Sequence, residues 1–229
     1  FGEPPMTIHI LHLPERVEMI ENHLANLGHF ESKVTYSLKY NDKGNKASVK
    51  YSVLLTKPYV IQDIDVLERD LPIELKNHIS DFLQNEAKTQ RASEFNIENI
   101  ETDKENLLVY LQDKGYFYLK KQHIDVEADT TVGDREVDLR YALNPLLSEE
   151  QLHPVVVKEL VVAIDTPVLQ PTEQFHIVNG SDYKIKSTLI DKLSVIDTGD
   201  YSSVSSTLKT LRNFSSVGIF YESNVRVVL

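Results

Sequence analysis

Apolar residues follow two different spacings along the chain, and each change of spacing marks where a helix ends and a strand begins. Between residues 14 and 27 an apolar side chain recurs every three or four positions, which predicts an amphipathic helix, at Val17, Ile20, Leu24 and Leu27. After Gly28 the spacing becomes two over residues 34–40 and 47–55, and the polar segment 41–45 is typical of a turn. The start of the chain therefore predicts a helix, a strand, a turn and a second strand.

A second copy of this pattern follows, with further elements in front of it. Residues 59–66 predict a strand, and the next apolar stripe predicts a short helix, at Leu75, Ile79, Phe82 and Leu83. A polar segment, 86–94, leads to a second helix, for which the sequence Thr-Asp-Lys-Glu at 102–105 predicts an N-terminal capping box. This helix is predicted to end at Gly115.

The second copy ends in a predicted hairpin. Alternating apolar residues predict a strand up to Ala128 and a return strand over 137–143, with a turn at 129–134 between them. The predicted order is strand, helix, helix, strand, strand, over about 85–90 residues, which is the size of one small domain.

The third copy follows a predicted linker at 148–154. A strand is predicted at 155–164, then a proline-containing loop, a helix at 186–193 and a helix capped by Asp200 that ends at Gly218. We expect this copy to lack its last strand, and the first copy to lack its opening strand and helix. The chain is therefore expected to be a fragment of a longer row of repeats.

The three copies share a short motif in which a helix ends at glycine and a phenylalanine follows two residues later. The motif residues are Gly28 and Phe30, Gly115 and Phe117, and Gly218 and Phe220. We expect each glycine to adopt a positive φ as the chain leaves the helix, and each phenylalanine to anchor helix to sheet. Repetition at this interval predicts small domains in tandem, here with boundaries at 1–57, 58–147 and 148–229.

Composition and charge restrict the classes of partner. The chain is 41% hydrophobic and 26% charged, which is ordinary for a folded protein, and it has no cysteine. A net charge of −11 disfavours nucleic acid and anionic lipid as partners, so that proteins are the expected partners. The first five residues have neither a basic nor an apolar segment, so we expect no signal peptide at this end.

The sequence has few candidate residues for catalysis or for binding a metal or a phosphate group. His9 and His12 have a spacing that could hold a metal but no third ligand nearby, and 129–134 lacks the spacing of a calcium loop. No phosphate-binding glycine loop or nucleophile elbow occurs, and the serine-rich segment 202–206 is typical of a polar helix face. We therefore expect no catalytic residues, no metal and no cofactor, and we interpret the chain as a non-enzyme.

The order of elements and the Gly-aromatic-Phe motif resemble POTRA domains, the periplasmic repeats of outer-membrane barrel-assembly proteins of the BamA/TamA (surface antigen D15-like) superfamily. Three segments resemble most the lipoprotein TamA relatives of Bacteroidetes (TamL): 1–5, 57–61, and 128–133 together with 137–139. The chain departs from the family pattern at His29, where tyrosine is commoner, and in the polar segment 213–216.

The resemblance implies an α+β fold of tandem POTRA domains, each β-α-α-β-β with two helices packed on a three-stranded mixed sheet. It also implies a longer parent protein with a lipidated N-terminus, more POTRA sequence upstream and a C-terminal membrane barrel. The expected location is the periplasm, attached to the outer membrane. The expected partners are unfolded outer-membrane protein clients and an inner-membrane or periplasmic protein of the TamB type.

The resemblance to POTRA domains implies that the first strand of each hairpin lies at a sheet edge, where a client segment could add as another strand. The predicted edges are 32–40 and 122–128. The candidate binding residues are Lys33, Val34, Thr35, Tyr36, Ser37 and Leu38, and His123, Ile124, Asp125, Val126, Glu127 and Ala128. The alternative is that charged side chains such as Lys33, Lys39, Asp125 and Glu127 protect these edges.

Other functions remain open at the level of the sequence. A BamA-type core insertase or a two-partner secretion transporter would carry similar POTRA domains. A protein of another class, a stand-alone structural or adhesin repeat protein of the envelope, would have no barrel downstream.

Overall fold

A computed structural model of the protein describes residues 11–67, 71–158, 161–164, 176–179 and 186–217. In these residues the fold is α+β, as predicted. The helices are α1 (Leu13–Asn26), α2 (Ile73–Asn85), α3 (Ile97–Asp113), α4 (Glu149–Leu152), α5 (Ser187–Leu193) and α6 (Val204–Ser216). The strands are β1 (Lys33–Tyr40), β2 (Ala47–Leu54), β3 (Val60–Val66), β4 (Ile124–Gly133), β5 (Glu136–Leu143), β6 (Val161–Ile164) and β7 (His176–Asn179).

The strands of the described residues form three small sheets. β1 and β2 are an antiparallel pair, and β6 and β7 are a parallel pair. β3, β5 and β4 form a sheet in that order, in which β3 runs parallel to β5. β4, the first strand of its hairpin, therefore lies at an edge of the sheet, as the family resemblance implied.

The chain divides into two compact units. The first unit comprises Phe1–Leu67, Ala87–Asp103 and Val126–Tyr141, and the second comprises Glu68–Glu86, Lys104–Asp125 and Ala142–Leu229. The predicted domain boundaries remain a prediction.

The core of the first unit forms where the apolar positions of β3 and β5 meet the start of α3. Its buried side chains are Ile61, Phe95, Ile100, Val137 and Leu139, with Tyr59, Ile64 and Val126 packed against them. The alternation of apolar residues in β5 explains this arrangement, because every second side chain of a strand points to the same face.

The second unit contains the apolar faces of α2 and of the C-terminal part of α3. Leu75, Ile79 and Phe82 are buried at the spacing of one helix face, as predicted. Leu107 and Leu111 are buried in the same way on α3, and the ring of Phe82 lies 5.6 Å from that of Tyr110.

The predicted capping box is wrong. α3 begins at Ile97, five residues before Thr102, so residues 102–105 lie inside the helix. The side chain of Asn96 caps it instead, because its Oδ1 accepts hydrogen bonds from the backbone N–H groups of Glu98 (2.8 Å) and Asn99 (3.3 Å).

The turn predicted at 129–134 is also wrong. β4 continues to Gly133, and the turn consists of Asp134 and Arg135 alone. Arg135, the second central residue of this tight turn, has a φ of +60°.

The third copy differs from its prediction in three places. Of the strand predicted at 155–164, the described part contains a single bridge between Val156 and Tyr201 and then β6 at its end. The predicted loop contains β7. The cap of the last helix is Ser203 rather than Asp200, because Ser203 Oγ accepts from the backbone N–H of Ser206 at 3.0 Å. The predictions for Gly218, for Phe220 and for a strand near 223 lie outside the described residues.

Among the helices of the described residues, none combines the length and the apolar character needed to cross a membrane.

Candidate interaction edges

The backbone N–H groups of β1 point alternately toward β2 and away from it. Just beyond β1, the N–H of Asn41 donates to the carbonyl of Lys46 at 2.9 Å, which turns it toward β2. Because backbone groups alternate in direction along an antiparallel strand, the N–H groups of Val34, Tyr36 and Leu38 point away from β2.

The first of these outward donors already has an acceptor. Glu21 of α1 accepts the backbone N–H of Val34 at 2.9 Å, through its Oε1. A client strand that pairs with β1 would have to displace this carboxylate or begin beyond Val34.

The two faces of the β1–β2 pair differ in character. Register places Val34 opposite Val53 and Tyr36 opposite Tyr51 on one apolar face. Val34 is 5% exposed, whereas Tyr36 is 40% and Val53 48% exposed, so this face is only partly covered. The other predicted residues of β1 divide between the faces: Leu38 is half-buried on the apolar face, and Lys33, Thr35 and Ser37 are exposed on the polar face.

The predicted residues of β4 separate by burial. Ile124 is 1% exposed, and Val126 packs against the core of the first unit. Asp125, Glu127 and Ala128 are exposed along the edge strand. His123 does not belong to the strand, because it lies in a short 3₁₀ turn, Lys121–His123, and accepts the N–H of Lys120 at 3.2 Å.

Two local hydrogen bonds lie in the middle of β4. Asp129 Oδ1 accepts the hydroxyl of Thr131 at 2.7 Å and its backbone N–H at 2.9 Å. The hydroxyl bond is the main reason that the pKa of Asp129 lies below its ordinary value. The carboxylate stays charged, so this edge carries the acidic groups Asp125, Glu127 and Asp129.

The two motif glycines among the described residues have the predicted backbone conformation. Gly28 and Gly115 have φ values of +86° and +100°. The carbonyl of Gly28 accepts the N–H of Tyr59 at 3.0 Å, and that of Gly115 accepts the N–H of Val155 at 2.8 Å. A side chain at Gly28 would place a Cβ 3.0 Å from the carbonyl oxygen of Phe95, so close approach is a second reason for glycine.

The two described motif phenylalanines, Phe30 and Phe117, are less buried than an anchor would be. Phe30 is 38% exposed and contacts the rings of Tyr59 and Phe95, with ring centres 5.0 and 5.2 Å away. Phe117 is half-buried, whereas Tyr116, one residue earlier, is only 2% exposed. The buried aromatic residue of the second copy is thus Tyr116.

Sequence reasoning missed the buried carboxylate of Asp103. It is 0% exposed and accepts the backbone N–H groups of Lys88 and Thr89, both at 2.8 Å. It thereby fixes the loop between α2 and α3. Burial, reinforced by the charge of Asp103, raises the pKa of Tyr141.

No site for metal chemistry is found among the described residues, where no group of three or more potential ligands converges. His12 contacts Glu15 at 3.1 Å, and His9 lies outside the described part of the chain.

Comparison with known families identifies one segment. Residues 77–145 match the family model of POTRA, described as surface antigen variable number repeat. The match covers under a third of the chain and supports a POTRA domain in the part that holds α3, β4, β5 and most of α2.

Three solved structures align with most of the chain, at low sequence identity and with TM-scores below 0.5. The POTRA3-5 segment of BamA from Haemophilus influenzae aligns with 99% of this chain and 76% of its own, at 10% identity and a TM-score of 0.47. POTRA1-3 of Omp85 from Anabaena aligns with 92% and 74%, at 17% identity and a TM-score of 0.32. The N-terminal domain of Omp85 from Thermosynechococcus elongatus aligns with 93% and 75%, at 16% identity and a TM-score of 0.31. No curated protein sequence matches the chain.

Proposed function

We propose that the chain is a periplasmic POTRA arm of an outer-membrane protein assembly or translocation factor, which binds client polypeptides or partner proteins and catalyses no reaction. The observation that carries this proposal is β4, an exposed edge strand within the segment that matches the POTRA family. An edge strand presents backbone donors and acceptors to which an extended segment can add.

This mode of binding suits the transfer of clients. Each backbone hydrogen bond contributes about 0.5–1.5 kcal/mol net, so a few of them give weak and reversible binding. Because the backbone is common to all residues, such binding tolerates many client sequences. Asp125, Glu127 and Asp129 would favour clients with basic residues beside the paired segment.

β4 is the better candidate of the two predicted edges. On β1 the N–H of Val34, near the start of the strand, is occupied by Glu21. On β4, an edge strand of a three-stranded sheet, Asp129 occupies the N–H of Thr131, which lies beyond the candidate residues 124–128. Client addition at β4 would extend that sheet to four strands.

The narrower proposal is a TamL-like factor with a TamB-like partner, and it rests on the resemblance of residues 57–61 and 128–133. A BamA-type insertase and a two-partner secretion transporter are the alternatives within the same class. A stand-alone envelope repeat protein is the alternative of another class, and the coding sequence downstream distinguishes it, since a barrel would add alternating strands of about ten residues.

Site-specific photocrosslinking in the full-length protein in its native envelope tests the function. A photoreactive residue at Asp125, Glu127 or Ala128 is expected to capture unfolded outer-membrane proteins, and one at Asp81, exposed on α2, serves as the control. Replacing Val126 with Pro removes a backbone donor and should reduce capture in a variant that still folds. Capture of a periplasmic or inner-membrane protein alone would favour a scaffold, and no capture at any β4 position would refute client binding at this edge.

A further inference from the structure

The first unit contains a set of backbone hydrogen bonds around the segment that follows Gly28. Tyr59 donates to the carbonyl of Gly28 at 3.0 Å and accepts from the N–H of Phe95 at 2.9 Å. Ile61 donates to Ser93 at 2.9 Å and accepts from Ala92 at 2.8 Å. The end of α1 is thus tied to the opening strand of the next repeat, and that strand to the residues preceding α3.

The second unit repeats this set bond for bond. Val155 donates to Gly115 and accepts from Ser202, both at 2.8 Å. Val157 donates to Asp200 and accepts from Gly199, again at 2.8 Å. The residue whose N–H donates to the carbonyl of Ile61 or of Val157 has a positive φ in both units, +64° at Ala92 and +96° at Gly199.

The equivalence continues into the helices that follow. Asn96 caps α3 and Ser203 caps α6. The side chain of Asp103 accepts the N–H of Lys88, and that of Thr210 accepts the N–H of Val195 at 3.1 Å. This set of hydrogen bonds, which we call a joint, therefore occurs twice. The Gly28 joint lies in the first unit and the Gly115 joint in the second.

The two joints differ in the side chains that reinforce them. In the first, the rings of Phe30, Tyr59 and Phe95 pack together. In the second, Asp113 accepts the hydroxyl of Ser203 at 2.9 Å and both the N–H (2.8 Å) and the hydroxyl (2.6 Å) of Ser205. The residue at the same place in the first joint is Asn26, the last residue of α1, which is exposed.

The position of Asp113 indicates a role in the joint rather than in its own helix. A negative charge at the C-terminus of a helix is unfavourable, and Asp113 is the last residue of α3. The same charge is favourable at the N-terminus of α6, where the side chain makes its three hydrogen bonds.

We propose that the Gly28 and Gly115 joints are equivalent connections that hold successive repeats in a fixed orientation, and that Asp113 is a latch which locks the second joint. Aromatic packing serves the same purpose in the first joint. This inference concerns the free protein and goes beyond client binding, so each can fail without the other.

The absence of cysteine from the chain permits a direct test. Spin labels on Asn106→Cys and Arg212→Cys, two exposed positions on α3 and α6, report the distance across the second joint by pulsed electron resonance. The full chain is expected to give a single narrow distribution. Asp113→Ala is expected to lose it in favour of a broad one, whereas Asp191→Ala, at an exposed position of α5, keeps it.

Hydrogen exchange gives a second readout that does not depend on the labels. In Asp113→Ala the amides of Ser205 and Val155 should exchange faster, because both lie in the second joint, while that of Tyr59 in the first joint keeps its rate. An unchanged distance distribution together with unchanged exchange at Ser205 and Val155 would overturn the latch.

Discussion

Gly115 and Gly199 have nearly the same backbone conformation, with φ values of +100° and +96°, but different surroundings. A Cβ at Gly115 would lie 2.9 Å from Cβ of Pro154 and 3.1 Å from the ring of Tyr201, whereas nothing lies within 4 Å at Gly199. The pair therefore separates backbone strain from crowding within one unit.

Replacing each glycine with alanine gives the first residue-scale prediction. Both variants should lose about 1–2 kcal/mol of unfolding free energy, because a side chain is disfavoured at positive φ. Gly115→Ala should lose a further ~1–3 kcal/mol, because the joint must shift to accommodate the methyl group. Urea denaturation measures the difference, and equal losses in the two variants would show that close approach at Gly115 does not matter.

At the scale of the element, two substitutions at the N-terminal part of α3 test whether Asn96 or Thr102 caps this helix. Asn96→Ala removes the acceptor for two backbone N–H groups and should lower the unfolding free energy by about 0.5–2 kcal/mol. Thr102→Ala should change it by no more than about 0.5 kcal/mol, since Thr102 lies inside the helix and its hydroxyl donates to the carbonyl of Glu98. The reverse order of effects in thermal or urea denaturation would restore Thr102 as the cap.

Most elements could be predicted because periodic burial determines them, but several boundaries could not. The capping-box pattern at 102–105 matched a real local preference, yet the apolar stripe of α3 extends back to Ile100, which is 3% exposed. The end of β4 was missed for a different reason. Its last residues are exposed, so polar side chains that are typical of a turn are equally compatible with an edge strand.

The candidate edges, too, could be predicted from the sequence only in part. The hairpin positions follow from alternation, whereas the edge position of β4 came from the family resemblance. That Glu21 occupies the N–H of Val34 could not be predicted, because this contact joins two elements and leaves no local pattern in the sequence.

At the scale of the whole molecule, the repeat is more regular in its backbone than in its sequence. Tyr59 and Val155 make equivalent hydrogen bonds although their side chains differ. Any residue except proline can donate such a bond, so sequence comparison detects the glycine that ends the helix but not the strand attached to it. Asp113 was missed because its partners are far along the chain, at Ser203 and Ser205.

Three tyrosines make the stability of the whole chain sensitive to alkaline pH. Burial is the main cause that raises the pKa values of Tyr110, Tyr116 and Tyr141 above the ordinary value of 10.0. Their neutral forms are therefore favoured in the folded state, while unfolding lets each ionise near pH 10. This contribution to stability is complete below that pH and is lost as the pH rises above it.

We therefore expect the unfolding free energy to fall as the pH rises above about 10, with tyrosine ionisation and unfolding occurring together. Tyrosinate absorbance can follow the ionisation without interference, because the chain has no tryptophan. Tyr141→Phe should reduce the slope of stability against pH in this range, because the phenyl ring stays buried but cannot ionise. The same slope in this variant and in the unaltered chain would mean that Tyr141 does not limit alkaline stability.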